Sequence, residues 1–571
     1  MKIEDHHLAP FARLDDDELK TAVNHWKDMP WVMDTETNGL EVIGPNSPCT
    51  AHWIGMAPVA DFFPIVIPRA QFDRVVRDLI HKIPLLIGHN IRFDIHALNL
   101  EDLHLVTYDT SVWAYYHSTT SRKSLDFLCA ARGWEKIKTP EELKKGQIAL
   151  LNTKLLGHYL SDDVLKTRML YTEQAKRPLP QQIVNDFELE SAIAKMESRG
   201  VLLNKEIIKK AQKEADLETA LLLQDIKGMG FKGLLNSPKQ LGEWLVENGR
   251  SLGRTATGAI STDRASLTRL ADHGDTFAEK VLSWRKLSKL SSAFLHPLPE
   301  KARRRGDHWA LYANVNSTRT ATGRFSYSNP NLQQIPKGRN STLGKKIRQC
   351  LYHEDGVSVA DYSQVELRVA AALSGETVLL DAFNSGGDPH AETAAAIFKK
   401  DHKNVTNNER HVAKTINFGI LFGAGPNRLA QELKIPKEEA TTFFRNYKRG
   451  LPALAEWCET NWETYEISQV AVTISGRARI FSAREDTRPG LSVLVQGTAS
   501  ELMRSALVAA EGAGLEPILS IHDELVLKGA GKHLELAEIM QESAEKAFPE
   551  CLDAVCFPAE GSSGPSWGEI E

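Results

Sequence analysis

The chain has 571 residues, 42% of them hydrophobic and 25% charged, which is a globular composition with more length than one core organises, so two or more domains are expected. No apolar run approaches the ~20 residues of a membrane helix, the start MKIEDHHLAP lacks the regions of a signal peptide, and the cysteines form no Cys-x-x-Cys pair or Cys/His cluster of zinc spacing. A membrane-spanning or zinc-centred protein is thereby excluded and a cytoplasmic chain with reduced thiols expected, while the net charge of −5 would argue against an anionic partner only if it were evenly spread.

After an acidic run, DDDE at 15–18, residues 30–110 read as strands and helices in alternation. WVMD (31–34) and FFPIVIP (62–68) are apolar strand candidates, QFDRVVRDLIHKI (71–83) is helix-periodic, and PLLIGHN (84–90) is a buried strand ending in a turn, so an α/β domain is predicted. Asp34 and Glu36 end the first strand two residues apart, which puts both side chains on one face. Asp94 follows in GHNIRFDIHAL, and Tyr159 and Asp163 stand one helical turn apart in YLSDDVLKTRML. Carboxylates ~4 Å apart repel by about 4 kcal/mol at an effective dielectric near 20, so a cluster of these acids needs cations, and two Mg2+ ions would answer that. Taken singly, each fragment has a plain reading: Asp34 and Glu36 cap a turn, Asp162 and Asp163 face water, and Tyr159 belongs to the core.

From about 181 to 300 the chain is mainly helical, with LESAIAKMESRG closing on a glycine stop and SWRKLSKLSSAFL amphipathic and basic. From Arg285 to Arg348 there are fourteen Lys/Arg, including KARRR at 301–305, against Glu300 and Asp307 alone. Such a stretch is a solvated face or the footprint of a polyanion. The remainder mixes strands and long helices, an α+β pattern. In VSVADYSQVELRVAAALSGE a strand delivers Asp361 and Tyr362 and runs into a helix holding Gln364 and Glu366. ILSIHDELVL reads as a hairpin with His522, Asp523 and Glu524 at its tip, either a metal site or a turn whose acids face water. In NERHVAKTINFGILFGAG, Arg410, Lys414 and Phe418 share one helical face, and this stripe is either two cations and a ring suited to a nucleoside triphosphate or a core aromatic beside two surface cations.

The order D-x-E, N-x-x-x-D, Y-x-x-x-D resembles the three motifs of DEDDy-type 3′→5′ exonucleases, which have a ribonuclease-H-like fold. DYSQVELR, R-x-x-x-K-x-x-x-F-G and HDE are similar to the signature motifs of family A DNA polymerases of the bacterial DNA polymerase I type, as are TATGRFSYSNPNLQQIP (320–336) and VQGTASELM (495–503). The resemblance spans almost the whole chain. It implies an exonuclease domain (1–185) followed by an α+β right hand: thumb (186–310), first part of the palm (311–375), fingers (376–489) and second part of the palm (490–571). It also implies metal ligation by Asp34, Glu36, Asp94 and Asp163, with Tyr159 orienting the attacking water and Asn90 near the substrate strand. In the polymerase half it implies Asp361, Asp523 and the Tyr362 carbonyl as ligands, with Glu524 beside them. Arg410, Lys414 and His390 would hold the triphosphate, Gln364 and Glu366 would line the sugar pocket, and Phe418 would stack by the incoming dNTP. Arg324, Asn331, Gln333, Arg488, Gln496 and His522 would contact primer-template DNA. Two Mg2+ per site, replaceable by Mn2+, are the implied cofactors; a monomer working with replisome proteins such as a helicase or single-strand-binding protein is the implied context.

A copying site with limited discrimination per step benefits from a second, hydrolytic sieve, which gives the exonuclease motifs a purpose. Phe422, Gln334 and Ser492 depart from the residues common in the family. The stretch ahead of Asp34 is too short for a 5′-nuclease domain, residues 201–310 are too short for a large processivity-factor insertion, and the length resembles phage replicative polymerases. A single-subunit RNA polymerase and a non-catalytic nucleic-acid-binding scaffold are the competing readings.

Overall fold

The computed structural model describes residues 10–60, 63–103, 105–148, 152–255, 257–337 and 341–570. The start used in the signal-peptide reading, Phe62 of the second strand candidate and Arg339 of the basic stretch lie outside them. The chain divides into two compact units: Met1–Gly200, Tyr312–Gln333 and Ser358–Ser563 form the first; Val201–Leu311, Gln334–Val357 and Gly564–Glu571 form the second.

In the first unit, β1 (Trp31–Thr37), β2 (Ala51–Pro58), β3 (Ile65–Pro68), β4 (Leu86–Gly88) and β5 (Thr107–Asp109) make a mixed sheet in the order β3-β2-β1-β4-β5. β1 runs antiparallel to β2 but parallel to β4. The helix α1 (Ile91–Leu98) follows β4 directly, and α2 (Thr153–Gln174) and α3 (Gln181–Arg199) complete the layer. Trp31, Met33, Ile54, Met56, Ile65 and Phe72 share one buried cluster, and Val32, Ala57, Ile87, Tyr108 and Val164 fill another. The period-2 alternation of β1 thus feeds two apolar surfaces. The helix expected over 71–83 is broken instead: Arg69–Gln71 is α-helical, Phe72–Val76 is a π turn closed by Arg77 N–H donating to the Phe72 carbonyl at 3.0 Å, and Ile80–Lys82 is 3₁₀. Phe72, Val76 and Ile80 stay buried through the break, so the apolar spacing was read correctly while the hydrogen-bond period was not.

The rest of this unit contains β6 (Asn314–Asn316), β7 (Ser326–Ser328), the end of β8 (Leu351–Tyr362), α4 (Val365–Ser374), α5 (Pro389–Phe398), α6 (Asn407–Leu421), the hairpin β9 (Val470–Val472) and β10 (Ala478–Ile480), α7 (Gly490–Gly512), β11 (Pro517–Ile521) and β12 (Glu524–Lys528). β11 and β12 form the expected antiparallel hairpin, with β12 beside β8. A buried charge knot ties this part to α3: Asp186 takes Arg477 at 2.8 Å and Arg504 at 2.9 Å. Burial pushes the Asp186 carboxyl up, but the two guanidiniums outweigh it and hold the pKa below its ordinary value.

The second unit packs helices Lys205–Gly228, Pro238–Glu247, Arg264–Asp272 and Thr276–Leu290 around Phe231, Leu241, Phe277 and Trp284. The basic stretch is not a uniform cationic face. Arg303–Arg305 is a strand antiparallel to His308–Leu311, Lys346 pairs with Glu214, and Arg348 is buried with its guanidinium 3.9 Å from the Trp567 ring centroid. No helix among the described residues is long and apolar enough to cross a membrane.

Candidate functional site

Two groups of acids in the first unit hold the residues singled out from sequence. At the end of β1, Asp34 and Glu36 alternate with the buried Met33, Thr35 and Thr37 and so emerge on one face. Asp163 reaches them from α2. One carboxylate oxygen from each of Asp34, Glu36 and Asp163 lies within 4.8 Å of the others, the only such group of three His, Cys, Asp or Glu donors among the described residues. Asp94, on α1, stands outside this trio; its Oδ1 accepts a hydrogen bond from Thr35 Oγ1 at 2.6 Å, and its charge bears on Asp34. Burial is the main cause that lifts the Asp34 carboxyl well above its usual range, Glu36 up to about 8, Asp94 up to about 7 and Asp163 up to about 6. An all-oxygen donor set crowded to this degree fits divalent cations, which supply the charge that desolvation makes necessary.

Tyr159 lies one turn before Asp163 and hydrogen-bonds it. Burial and then the Asp163 charge raise its pKa, so the group is a phenol able to donate. Asn90 is the N-cap of α1 in the left-handed region, φ 66°, with its backbone N–H donating to Asp109 Oδ1 at 3.0 Å. Asp162 is buried and accepts from Ile137 N–H at 2.8 Å, so the solvated reading of Asp162 and Asp163 is set aside.

The sequence reading missed Lys136. Its ammonium is 2.6 Å from Asp163 Oδ1 and 3.1 Å from Asp126 Oδ1, and 4.8 Å from the Tyr159 ring centroid. A lysine in the loop GWEKIKTP, which also holds Lys138, carries no spacing signal, and its default reading is a solvated surface group.

The second group gathers where β8 meets the β11–β12 hairpin. Asp361 and Tyr362 end β8, and Tyr362 N–H donates to the Asp523 carbonyl at 3.1 Å, which fixes the strand end against the hairpin turn. His522 has φ 58° and Asp523 completes the turn, while Glu524 opens β12 and is buried. Gln364 caps α4 at φ 54°, and Glu366 follows on its first turn. Left-handed backbone costs a non-glycine residue about 1–2 kcal/mol, so Asn90, Gln364 and His522 mark positions whose surroundings hold a strained turn. Arg324 was expected to touch DNA; here its guanidinium pairs with Glu366 and stands 3.7 Å from Asp523 Oδ1. Burial raises the Glu366 pKa against the pull of Arg324.

On α6, Arg410, Lys414 and Phe418 do share a face. Arg410 is paired with Asp388, the N-cap of α5, and that carboxylate was also missed, although Asp-Pro-His is a legible helix start. His390 is buried on α5, accepts at Nδ1 from Asn417 Nδ2 over 3.2 Å, and has its ring centroid 6.0 Å from that of Phe418. Burial, then Lys414, pushes its pKa down to about 4, so it is neutral. Phe422 ends α6 with its ring 6.0 Å from Phe418. Gln333 Nε2 donates to the Phe325 carbonyl at 2.9 Å. Asn331 Oδ1 and Gln364 Oε1 are buried without a hydrogen-bond partner among the described residues, an unpaid desolvation that a ligand would relieve. Gln496 lies half-buried on α7, and Arg488, just before it, pairs with Asp486 at 2.9 Å and is exposed.

A family model described as DNA polymerase family A matches residues 205–569. The DNA polymerase I of Borreliella burgdorferi is 30% identical over 97% of this chain and 64% of its own length. The thermostable DNA polymerase I of Thermus aquaticus is 37% identical over 66% of this chain and 47% of its own. The chain therefore spans about half to two-thirds of these relatives. Among solved structures, the POL domain of Pol1 from M. smegmatis, in complex with DNA primer-template and dNTP, superposes with a TM-score of 0.84 at 22% identity, covering 98% of this chain and 100% of that one. The fold is that of this POL domain, and the chain belongs to DNA polymerase family A.

Proposed function

We propose that the chain is a DNA-directed DNA polymerase that extends a primer with dNTPs at Asp361 and Asp523 and trims the 3′ end at Asp34, Glu36, Asp94 and Asp163. The observation that carries the polymerase half is the clasp between Tyr362 N–H and the Asp523 carbonyl, which holds the two acid-bearing segments together. Family A polymerases use divalent metal ions. When bound, Mg2+ or Mn2+ lowers the barrier to in-line displacement by stabilising the attacking and leaving oxygens.

The side chains of this chain do the positioning. Asp361, Asp523 and the Tyr362 carbonyl would hold the ions, with Glu524 buried alongside. Arg410 and Lys414 meet the triphosphate with charge, and the neutral His390 meets it with a hydrogen bond. Phe418 lies against the base and, with Glu366, closes the space a 2′-hydroxyl would need; Gln364 lines the same pocket. Arg324, Asn331, Gln333, Arg488, Gln496 and His522 face the duplex, reading minor-groove acceptors common to correct pairs. Arg324 can meet the duplex only by giving up its pairing with Glu366.

The N-terminal sheet and its four carboxylates support a ribonuclease-H-like, DEDDy-type proofreading domain in which Tyr159 orients the water and Asn90 contacts the departing strand. Replication, in a compact phage-like form and with helicase or single-strand-binding partners, is the context this reading favours. The test is extension of a labelled primer on a longer template with Mg2+ and one dNTP at a time. Addition of only the complementary nucleotide, lost in Asp361→Ala, is expected; degradation without any extension supports the scaffold reading for the second group instead.

A further inference from the structure

We propose that Lys136 is a positioning residue of the trimming site: it keeps Asp163 and Tyr159 in register with Asp34 and Glu36 while no ion is bound, and yields Asp163 when a divalent ion enters. This rests on the trimming reading above for its function, but not for its chemistry.

Lys136 is held in place from three sides. Its side chain is 7% exposed, with Asp163 at 2.6 Å, Asp126 at 3.1 Å and the Tyr159 ring at 4.8 Å. The next residue is anchored to the same helix, since Ile137 N–H donates to Asp162 Oδ2 at 2.8 Å, and Thr139 Oγ1 lies 3.3 Å from the Tyr159 hydroxyl. The loop carrying the lysine therefore lies along α2, against the turn that presents Tyr159 and Asp163. Among the charges acting on Asp34, Glu36 and Asp163, the Lys136 ammonium is the one that opposes their mutual repulsion. A single positive charge cannot balance four acids, but it can hold one of them in place and still be displaced by a doubly charged ion. Asp126, mostly exposed at 69%, remains as the partner to which Lys136 turns once Asp163 is taken.

A lysine that only braced the loop and a lysine that occupies an ion's place make opposite forecasts for metal affinity. The measurement is Mn2+ binding, read from the free-ion electron paramagnetic resonance signal, on full-length protein carrying Asp361→Ala and Asp523→Ala to silence the polymerase acids. In that background Lys136→Met is expected to bind Mn2+ about tenfold more tightly, because a competing cation is gone. In protein with an intact polymerase site, its rate of primer shortening should fall about 10–100-fold, the range typical for loss of a group that orients ligands. Lys136→Arg should restore the affinity and part of the rate. Weaker or unchanged Mn2+ binding in Lys136→Met overturns the proposal. If wild type binds Mn2+ but shortens no primer, the trimming reading fails while the affinity comparison still decides the role of Lys136. Asp34→Ala/Glu36→Ala should abolish the tight Mn2+ site whatever stands at 136.

Discussion

At the end of β1, three carboxylates stand within 4.8 Å of one another with an ammonium against one of them. At the end of β8, no trio of donors is gathered so closely among the described residues, and a guanidinium lies between Glu366 and Asp523. The first site is assembled, with the one ammonium of Lys136 set against its acids. The second has Arg324 paired with Glu366 and close to Asp523, and has buried acceptors, Asn331 Oδ1 and Gln364 Oε1, without partners among the described residues. The difference follows from what each would receive. On the proposed reading the first would receive a 3′ strand end, and the second a triphosphate with a duplex whose phosphates and base edges would complete the site on arrival.

The strongest way to break this contrast is at Glu366, which the copying site is argued to keep for sugar selection. Glu366→Ala removes both the wall against a 2′-hydroxyl and the partner of Arg324, and discrimination between dNTP and rNTP in direct competition should fall by about 100-fold. Unchanged sugar selectivity would remove Glu366 from the pocket. A smaller effect sharpens the other side. Asp34→Asn/Glu36→Gln removes buried carboxyls whose ionisation desolvation opposes, so in EDTA the melting temperature should rise by about 2 °C, and the stabilisation by Mg2+ expected of wild type should shrink in the variant. A variant that melts lower in EDTA would mean that the acids are satisfied without ions. The smallest effect is a null one. With the His390 pKa pushed down to about 4, the imidazole is already neutral at every higher pH. The KM for dNTP should thus show no step assignable to this histidine between about pH 5.5 and 8.5. A step near 6.5 that vanishes in His390→Gln would contradict the neutral assignment.

Spacing made some of this readable from sequence and left the rest dark. The i, i+2 pair Asp34 and Glu36, the i, i+4 pair Tyr159 and Asp163, and the α6 stripe of Arg410, Lys414 and Phe418 are geometric consequences of strand and helix period, and the structure keeps each of them. The β11–β12 hairpin was legible from two apolar runs flanking His-Asp-Glu. Lys136 and the Arg324–Glu366 pair were not, because each joins segments distant in sequence or sits in a loop without period, while Asp388 was overlooked although Asp-Pro-His reads as a helix start. The π turn at Phe72–Val76 was hidden because burial spacing survives a local change of hydrogen-bond period. Arg348 shows the limit of counting charge: a cation in a basic run lies buried on Trp567.

The account rests on two separable sites in one chain. The most direct measurement follows a labelled primer on a longer template with Mg2+, with and without the four dNTPs, in wild type, Asp361→Ala and Asp34→Ala/Glu36→Ala. Wild type should extend with dNTPs and shorten without them. Asp361→Ala should lose extension by about 1,000-fold, some 4 kcal/mol of barrier, yet still shorten, and the double variant should extend without shortening. Loss of both activities in either variant would contradict the account.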